Sequence, residues 1–241
     1  PEALPAPLFR ESDLDEQARL ATHFFQGTPT RPGAQAQRNK ASYYGMIELI
    51  DQQVGRMLEA LEATGQRANT VVLFTSDHGE MLGDHGLTAK GCRFYEGAVR
   101  VPLILSWPGR FQEGVQCSDL IELTDLAPTL ADLAGVEMGE SHGRSLLPIL
   151  TGAGDRPDPR AWVRTEYYDA LDPHAPRASD QHTACFATML RTARHKLVVY
   201  HGNDHGELYD LETDPGEFVN LWDSAAHAQT KLDLLKQAFD Q

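Results

Sequence analysis

The sequence predicts an α/β protein: part of a mostly parallel sheet flanked by helices over residues 1–150, then a smaller α+β subdomain of antiparallel strands and one helix over 151–241. Three observations carry this. A helical pattern over 43–65 runs into the apolar, β-branched stretch at 70–74 (TVVLF), which is the order of an α/β unit. A second short apolar run follows at 102–106 (PLILS). Beyond the Gly- and Pro-rich stretch at 151–160, the apolar period changes from 3.6 to two.

Residues 1–40 are rich in Pro, Gln, Gly and charge and read as a surface-winding loop region. It holds one short helix, 13–25, opened by a Ser12-Asp13 cap and closed near Gly27. From Tyr43 the pattern is strong: Tyr44, Ile47, Ile50, Val54, Met57 or Leu58, and Leu61 form one apolar stripe on a long helix ending near Gly65. After a polar turn at 66–69, the unbroken run 70–74 suits a strand buried on both faces of a parallel sheet. The run 102–106 is a second buried strand. Residues 123–134 form a helix stopped by Gly135, with Pro128 in its first turn, where a missing N–H costs little. In the second part, strands are expected at 162–167, 186–191, 196–200 and 207–210, and an amphipathic helix at 225–239.

The 241 residues carry 35 acidic against 21 basic side chains, a formal net charge of -14. Such a field repels nucleic acid and anionic membrane surfaces, and neither is expected as a partner. No stretch approaches the roughly 20 apolar residues that span a bilayer, and the first residues have neither a basic nor an apolar leader region. They read as the interior of a longer protein whose N-terminus is not represented, so the compartment stays open, with a cytoplasmic setting slightly favoured. Cys92, Cys117 and Cys185 lie far apart with no C-x-x-C spacing and read as reduced thiols.

The chemistry concentrates at 75–90 (TSDHGEMLGDHGLTAK), which begins where the 70–74 strand ends. Ligands collect at the carboxyl ends of strands in open α/β sheets. Asp77 offers a hard anionic oxygen and His78 a neutral nitrogen, and Gly79 lets the backbone pass close by. Two side chains do not complete a divalent site, so further ligands must come from elsewhere. A lone D-H-G reads more readily as a helix cap beside a solvated face of Glu80, Asp84 and His85.

The stretch 43–108, with YYGMIELIDQQVGRMLEALEATG, NTVVLFTSDHGEMLGDHGLTAKG and YEGAVRVPLILSWPG, resembles the second half of the sulfatase catalytic domain of the alkaline phosphatase superfamily. GELYDLETDPGEFVNL at 206–221 is similar to that family's C-terminal strand and turn. The resemblance implies an alkaline phosphatase-like fold and a metal-dependent hydrolase of sulfuric esters. It puts two ligands of a divalent cation, usually calcium, on Asp77 and His78, and puts on Lys90 the lysine that contacts the sulfate. A fixed ammonium there would neutralise charge developing on a transferring group. His78 in place of asparagine resembles the choline-sulfatase and phosphonate monoester hydrolase branch, which keeps a phosphonate or phosphate diester as an alternative substrate and manganese or another divalent ion as an alternative metal.

The resemblance also implies a formylglycine made from the cysteine of a C-x-P-x-R motif. None of the three cysteines stands in that motif. The expected partners are therefore a small sulfate or phosphonate ester and the missing N-terminal half of the same enzyme, with a homo-oligomer left open and a non-catalytic relative as the competing reading. Cys92, two residues from Lys90, reads as a small buried thiol rather than a substitute nucleophile. His85 reads either as a supporting or substrate-contacting group at the site or as an exposed loop histidine, and His182, His201 and His205 are assigned no role.

Overall fold

The computed structural model describes residues 4–19, 29–153, 158–168 and 186–239. These fall into two compact units: Pro1–Tyr43, His78–Arg100 and Arg164–Gln241 in one, Tyr44–Asp77 and Val101–Val163 in the other.

The first unit is organised on an antiparallel sheet. Its strands β3 (Trp162–Tyr168), β4 (Phe186–Thr192), β5 (His195–Tyr200) and β6 (Gly206–Asp210) lie side by side in sequence order. Each differs from the sequence expectation by two residues at most. Met189 faces Val198 and Leu197 faces Leu208 across the ladders. Strand β6 is buried along its whole length, which alternation alone does not predict. Cys92, Phe94, Ala187, Met189, Val198 and Tyr200 form one core cluster; Met81, Leu87, Tyr95, Ala98 and Tyr209 form another. The sheet thus packs on the segment 81–98, which includes the four-residue helix α3 (Glu96–Val99). Helix α6 (Ala228–Phe239) follows a short 3-10 turn and buries Leu234 and Ala238. Helix α1 (Ser12–Arg19) starts as its cap predicts, its buried Asp13 accepting the main-chain N–H of Arg10 at 2.7 Å. The expected end of that helix, with Gly27, lies outside the described residues, as do Cys185 and His182.

In the second unit, helix α2 (Ala34–Ala63) enters with most of its length, its first turns belonging to the sheet unit. It begins nine residues before the expected start. The residues 34–42 are mostly Ala, Gln, Arg and Lys, good helix formers that carry no apolar stripe, so periodicity is silent where intrinsic preference decides. A larger departure concerns its apolar side. Tyr44, Ile47, Ile50 and Met57 of the expected stripe are exposed, Met57 to 65%.

Strands β1 (Val72–Thr75) and β2 (Leu103–Ser106) are found where expected, but they pair antiparallel with one another, Leu73 opposite Leu105. The sequence reading placed 70–74 in a parallel sheet, buried on both faces, and took 102–106 as a second buried strand. Strand direction is set by the path of the connecting chain, which composition does not encode, and Ile104 on β2 is 59% exposed. Helix α4 (Leu126–Ala134) follows a 3-10 turn at 123–125 and stops at Gly135, whose φ of 65° is the left-handed cap expected there. Arg160 ties this region together, with ion pairs of 2.7 Å to Glu122 and 2.7 Å to the buried Asp125. A short helix α5 (Leu147–Thr151), unforeseen, closes at Gly152. No helix among the described residues is long and apolar enough to cross a membrane.

Candidate active site

The segment that follows β1 is irregular but closely held. Asp77 ends one segment of the second unit and His78 begins one segment of the sheet unit, and both are exposed. His78 Nδ1 lies 2.9 Å from the carbonyl oxygen of its neighbour Gly79. A carbonyl only accepts, so this contact makes Nδ1 the donor, and in the neutral ring the lone pair is then on Nε2. This is the tautomer of a metal-ligating histidine, whose other ring nitrogen donates to a carbonyl or carboxylate. With the carboxylate of Asp77 before it, the donor set fits a divalent cation in kind. Among the described residues no group of three or more His, Cys, Asp or Glu side chains is arranged to hold a metal ion, so the set is partial.

Gly79 and Glu80 are then zipped to α3. The Gly79 N–H donates to Ala98 O at 2.8 Å and the Glu80 N–H to Gly97 O at 3.1 Å. A Cβ on Gly79 would stand 1.9 Å from Gly97 O, so glycine is required there by close approach. Further on, Gly83 and His85 take positive φ of 100° and 53°. His85 is not the exposed loop histidine that was one reading of its position. It is 3% exposed, stacked on Tyr95 with ring centroids 4.0 Å apart, and its Nδ1 is 3.6 Å from Asp13 Oδ1. Burial holds its pKa below the ordinary imidazole value, against the pull of Asp13.

Lys90 is exposed at the end of this loop. Immediately beyond it, Cys92, Arg93, Phe94 and Tyr95 are all buried. Cys92 packs in the core, as a structural thiol does. Arg93 donates through Nε to Gln17 Oε1 at 2.9 Å and through Nη1 to Tyr200 OH at 3.2 Å. Gln17 in turn donates to Tyr95 OH at 2.5 Å. Tyr200 donates to one oxygen of the buried Glu207 and Tyr209 to the other, the latter at 2.8 Å. Burial pushes all three tyrosine hydroxyls up, which keeps them protonated as donors.

A second buried knot lies beside it. Lys196, fully buried on β5, donates to Phe94 O at 2.8 Å and pairs with Glu217 at 2.6 Å and Glu96 at 2.8 Å. Burial pushes the Glu217 carboxyl up, and Lys196 pulls against it without reversing the direction. Burial also works to raise Glu96, yet Lys196 and Arg191 together hold it below its usual value. Sequence reasoning missed these residues: a lysine alternating along a strand looks like a solvated one. Only the unbroken burial of its neighbours on β6 marks it otherwise.

The serine form of the nucleophile pattern does occur, at Ser106-Trp107-Pro108-Gly109-Arg110, and was not singled out from the sequence. In the structure Ser106 closes β2, its Oγ accepting from Arg67 at 2.5 Å, and Arg110 lies over the Trp107 ring. This is a packed turn, with Gly109 at a φ of 69°.

Two family models match the chain: the sulfatase family over residues 12–136, and the C-terminal part of N-sulphoglucosamine sulphohydrolase over 83–241. The chain is 33% identical over 231 residues to an N-acetylglucosamine-6-O-sulfatase of Bacteroides thetaiotaomicron, covering 95% of this chain and 38% of that protein. It is also 33% identical to a choline-sulfatase of Rhizobium meliloti, over 92% of this chain and 40% of that one. In structure it is similar to the phosphonate monoester hydrolase of Agrobacterium radiobacter, with a TM-score of 0.88 at 29% identity, over 100% of this chain and 51% of that chain. The chain thus spans well under two thirds of the length of these proteins. With an α/β fold of the alkaline phosphatase superfamily, the match of the sulfatase model over 12–136 and these relatives at 33% identity show that the chain belongs to the sulfatase family, whose members bind a divalent metal.

Proposed function

We propose that this chain supplies part of the active site of a metal-dependent sulfuric ester hydrolase. Asp77 and His78 are two ligands of its divalent cation, and Lys90 contacts the anionic group of the substrate. The observation that carries this is the 2.9 Å contact between His78 Nδ1 and Gly79 O, in which Nδ1 donates, as in histidines that bind a metal through Nε2. Calcium is the proposed metal, with manganese the alternative that an imidazole ligand favours. When bound, the cation would polarise the oxygens of a tetrahedral anion. The chain's own contribution is to hold the carboxylate, the imidazole and the ammonium at the two ends of the 77–90 segment.

The nucleophile, a formylglycine, is assigned to an N-terminal half outside these 241 residues. Residues 1–150 read as the C-terminal part of the catalytic domain and 151–241 as its subdomain. The uncovered apolar side chains of α2 support such a half: covering a side chain like Ile47 or Ile50 is worth about 1.5 to 3 kcal/mol each. Sulfatase names among the similar proteins favour a sulfate ester, and the phosphonate monoester hydrolase keeps the phosphonate ester as second reading.

The test is made on the parent enzyme. Asp77→Ala and His78→Ala are expected to emerge with little bound metal by elemental analysis, and metal content equal to wild type would remove them from the site. Turnover of an aryl sulfate against an aryl phosphonate ester ranks the two substrate classes. Full activity from a sample whose intact mass is 26.7 kDa would overturn the need for a second half.

A further inference from the structure

The side chains proposed for the site sit on a loop whose two ends converge on one short segment of the sheet unit. Just after His78, Gly79 and Glu80 bond to Ala98 O and Gly97 O. Just after Lys90, the chain enters the buried run Cys92–Tyr95 and then Glu96. Whatever fixes residues 94–98 therefore fixes both ends of the loop.

That segment is held from the far side by Lys196 and Glu217. The three ammonium protons of Lys196 have three acceptors at 2.6 to 2.8 Å: Glu217 Oε1, Glu96 Oε1 and Phe94 O. The second oxygen of Glu217 accepts the Glu96 N–H at 2.7 Å, satisfying an amide at the start of α3 that no helical carbonyl can reach. Glu217 does this from a backbone φ of 56°, an unfavourable conformation for a non-glycine residue that persists only where surrounding contacts enforce it. Arg191 on β4 reaches the same Glu96 from the other side at 3.2 Å. A buried ion pair adds little net stability over an apolar pair of equal volume, but it fixes orientation.

We propose that Lys196 and Glu217 are positioning residues for His78 and Lys90, clamping the 94–96 segment through which both ends of the site loop are set. The proposal rests on the site reading above and names residues outside it. Neither residue touches substrate or metal.

The test uses the parent enzyme with Lys196→Met and Glu217→Gln, which keep volume while removing the charge. Metal affinity is measured by titrating Ca2+, and separately Mn2+, into chelator-stripped protein, and kcat is expressed per folded molecule from urea unfolding. Both variants are expected to bind metal about tenfold more weakly or worse, with a comparable fall in kcat, as loss of supporting groups around a metal site does. A loss that only tracks the unfolded fraction in both variants, with wild-type metal affinity in the folded molecules, overturns the positioning role. Asp77→Ala in parallel separates the two readings. If it keeps its metal, the site reading falls and takes the clamp with it; if it loses metal while the clamp variants bind as wild type, the clamp alone falls.

Discussion

The imidazole of His85 lies flat against the ring of Tyr95, centroids 4.0 Å and planes 14° apart, in the interior of the sheet unit. Asp13 from α1 faces its Nδ1 at 3.6 Å, with Asp84 and Glu207 adding weaker pulls. Burial outweighs these carboxylates, so the native state prefers the neutral ring.

A pH dependence follows. The folded pKa lies below the ordinary value of about 6.5, so the unfolded chain takes up a proton that the native chain resists. Stability from this group is present above about pH 6.5 and is lost as pH falls from there toward the folded value. Urea midpoints at about pH 7.5 and about pH 5.5 should differ in wild type, and the difference should shrink in His85→Asn, which tolerates the positive φ. An undiminished difference in the variant would place the titrating group elsewhere.

Gly79→Ala should be costly for a backbone reason. The added methyl would meet Gly97 O at 1.9 Å, so the two main-chain bonds to α3 must open or the segment must shift. Destabilisation of about 1 to 3 kcal/mol is expected, as for overpacking, together with weaker metal retention. Unchanged urea unfolding would show that the close approach relaxes freely.

Lys90→Ala separates site from scaffold. Lys90 is exposed, so its loss should change stability by no more than about 0.5 kcal/mol. Turnover by the parent enzyme should fall by about a hundredfold or more, the effect of removing one preorganised charge from an anion site. Wild-type kinetics would exclude the lysine.

Tyr200→Phe tests the network behind the site loop. The hydroxyl donates to Glu207 and accepts from Arg93 at 3.2 Å, and both partners are buried. Its removal leaves a carboxylate oxygen and a guanidinium N–H each short of a partner, at a cost of about 1 to 3 kcal/mol. A change within measurement error in calorimetric unfolding would mean that water enters and takes its place.

How much of this was legible in the residues can be judged from particular elements. The strands β3 to β6, and the helix stop at Gly135, follow from alternation and turn chemistry, which are local properties. The proposal for Asp77, His78 and Lys90 rests on side-chain chemistry and family resemblance, which need no reference to the fold. The early start of α2 was not, since Ala, Gln and Lys carry helix preference without periodicity.

The sequence by itself determined where most elements lie, which residues have the chemistry of a site, and the family to which the chain belongs. The tertiary structure alone decided that β1 and β2 run antiparallel, that His85 is stacked in a core, and that Lys196 and Glu217 hold the segment behind the site loop. The physical reason is range. Periodicity and capping act over a few residues, whereas strand direction and the pairing of buried charges depend on groups brought together from far along the chain, as Lys196 is with Phe94.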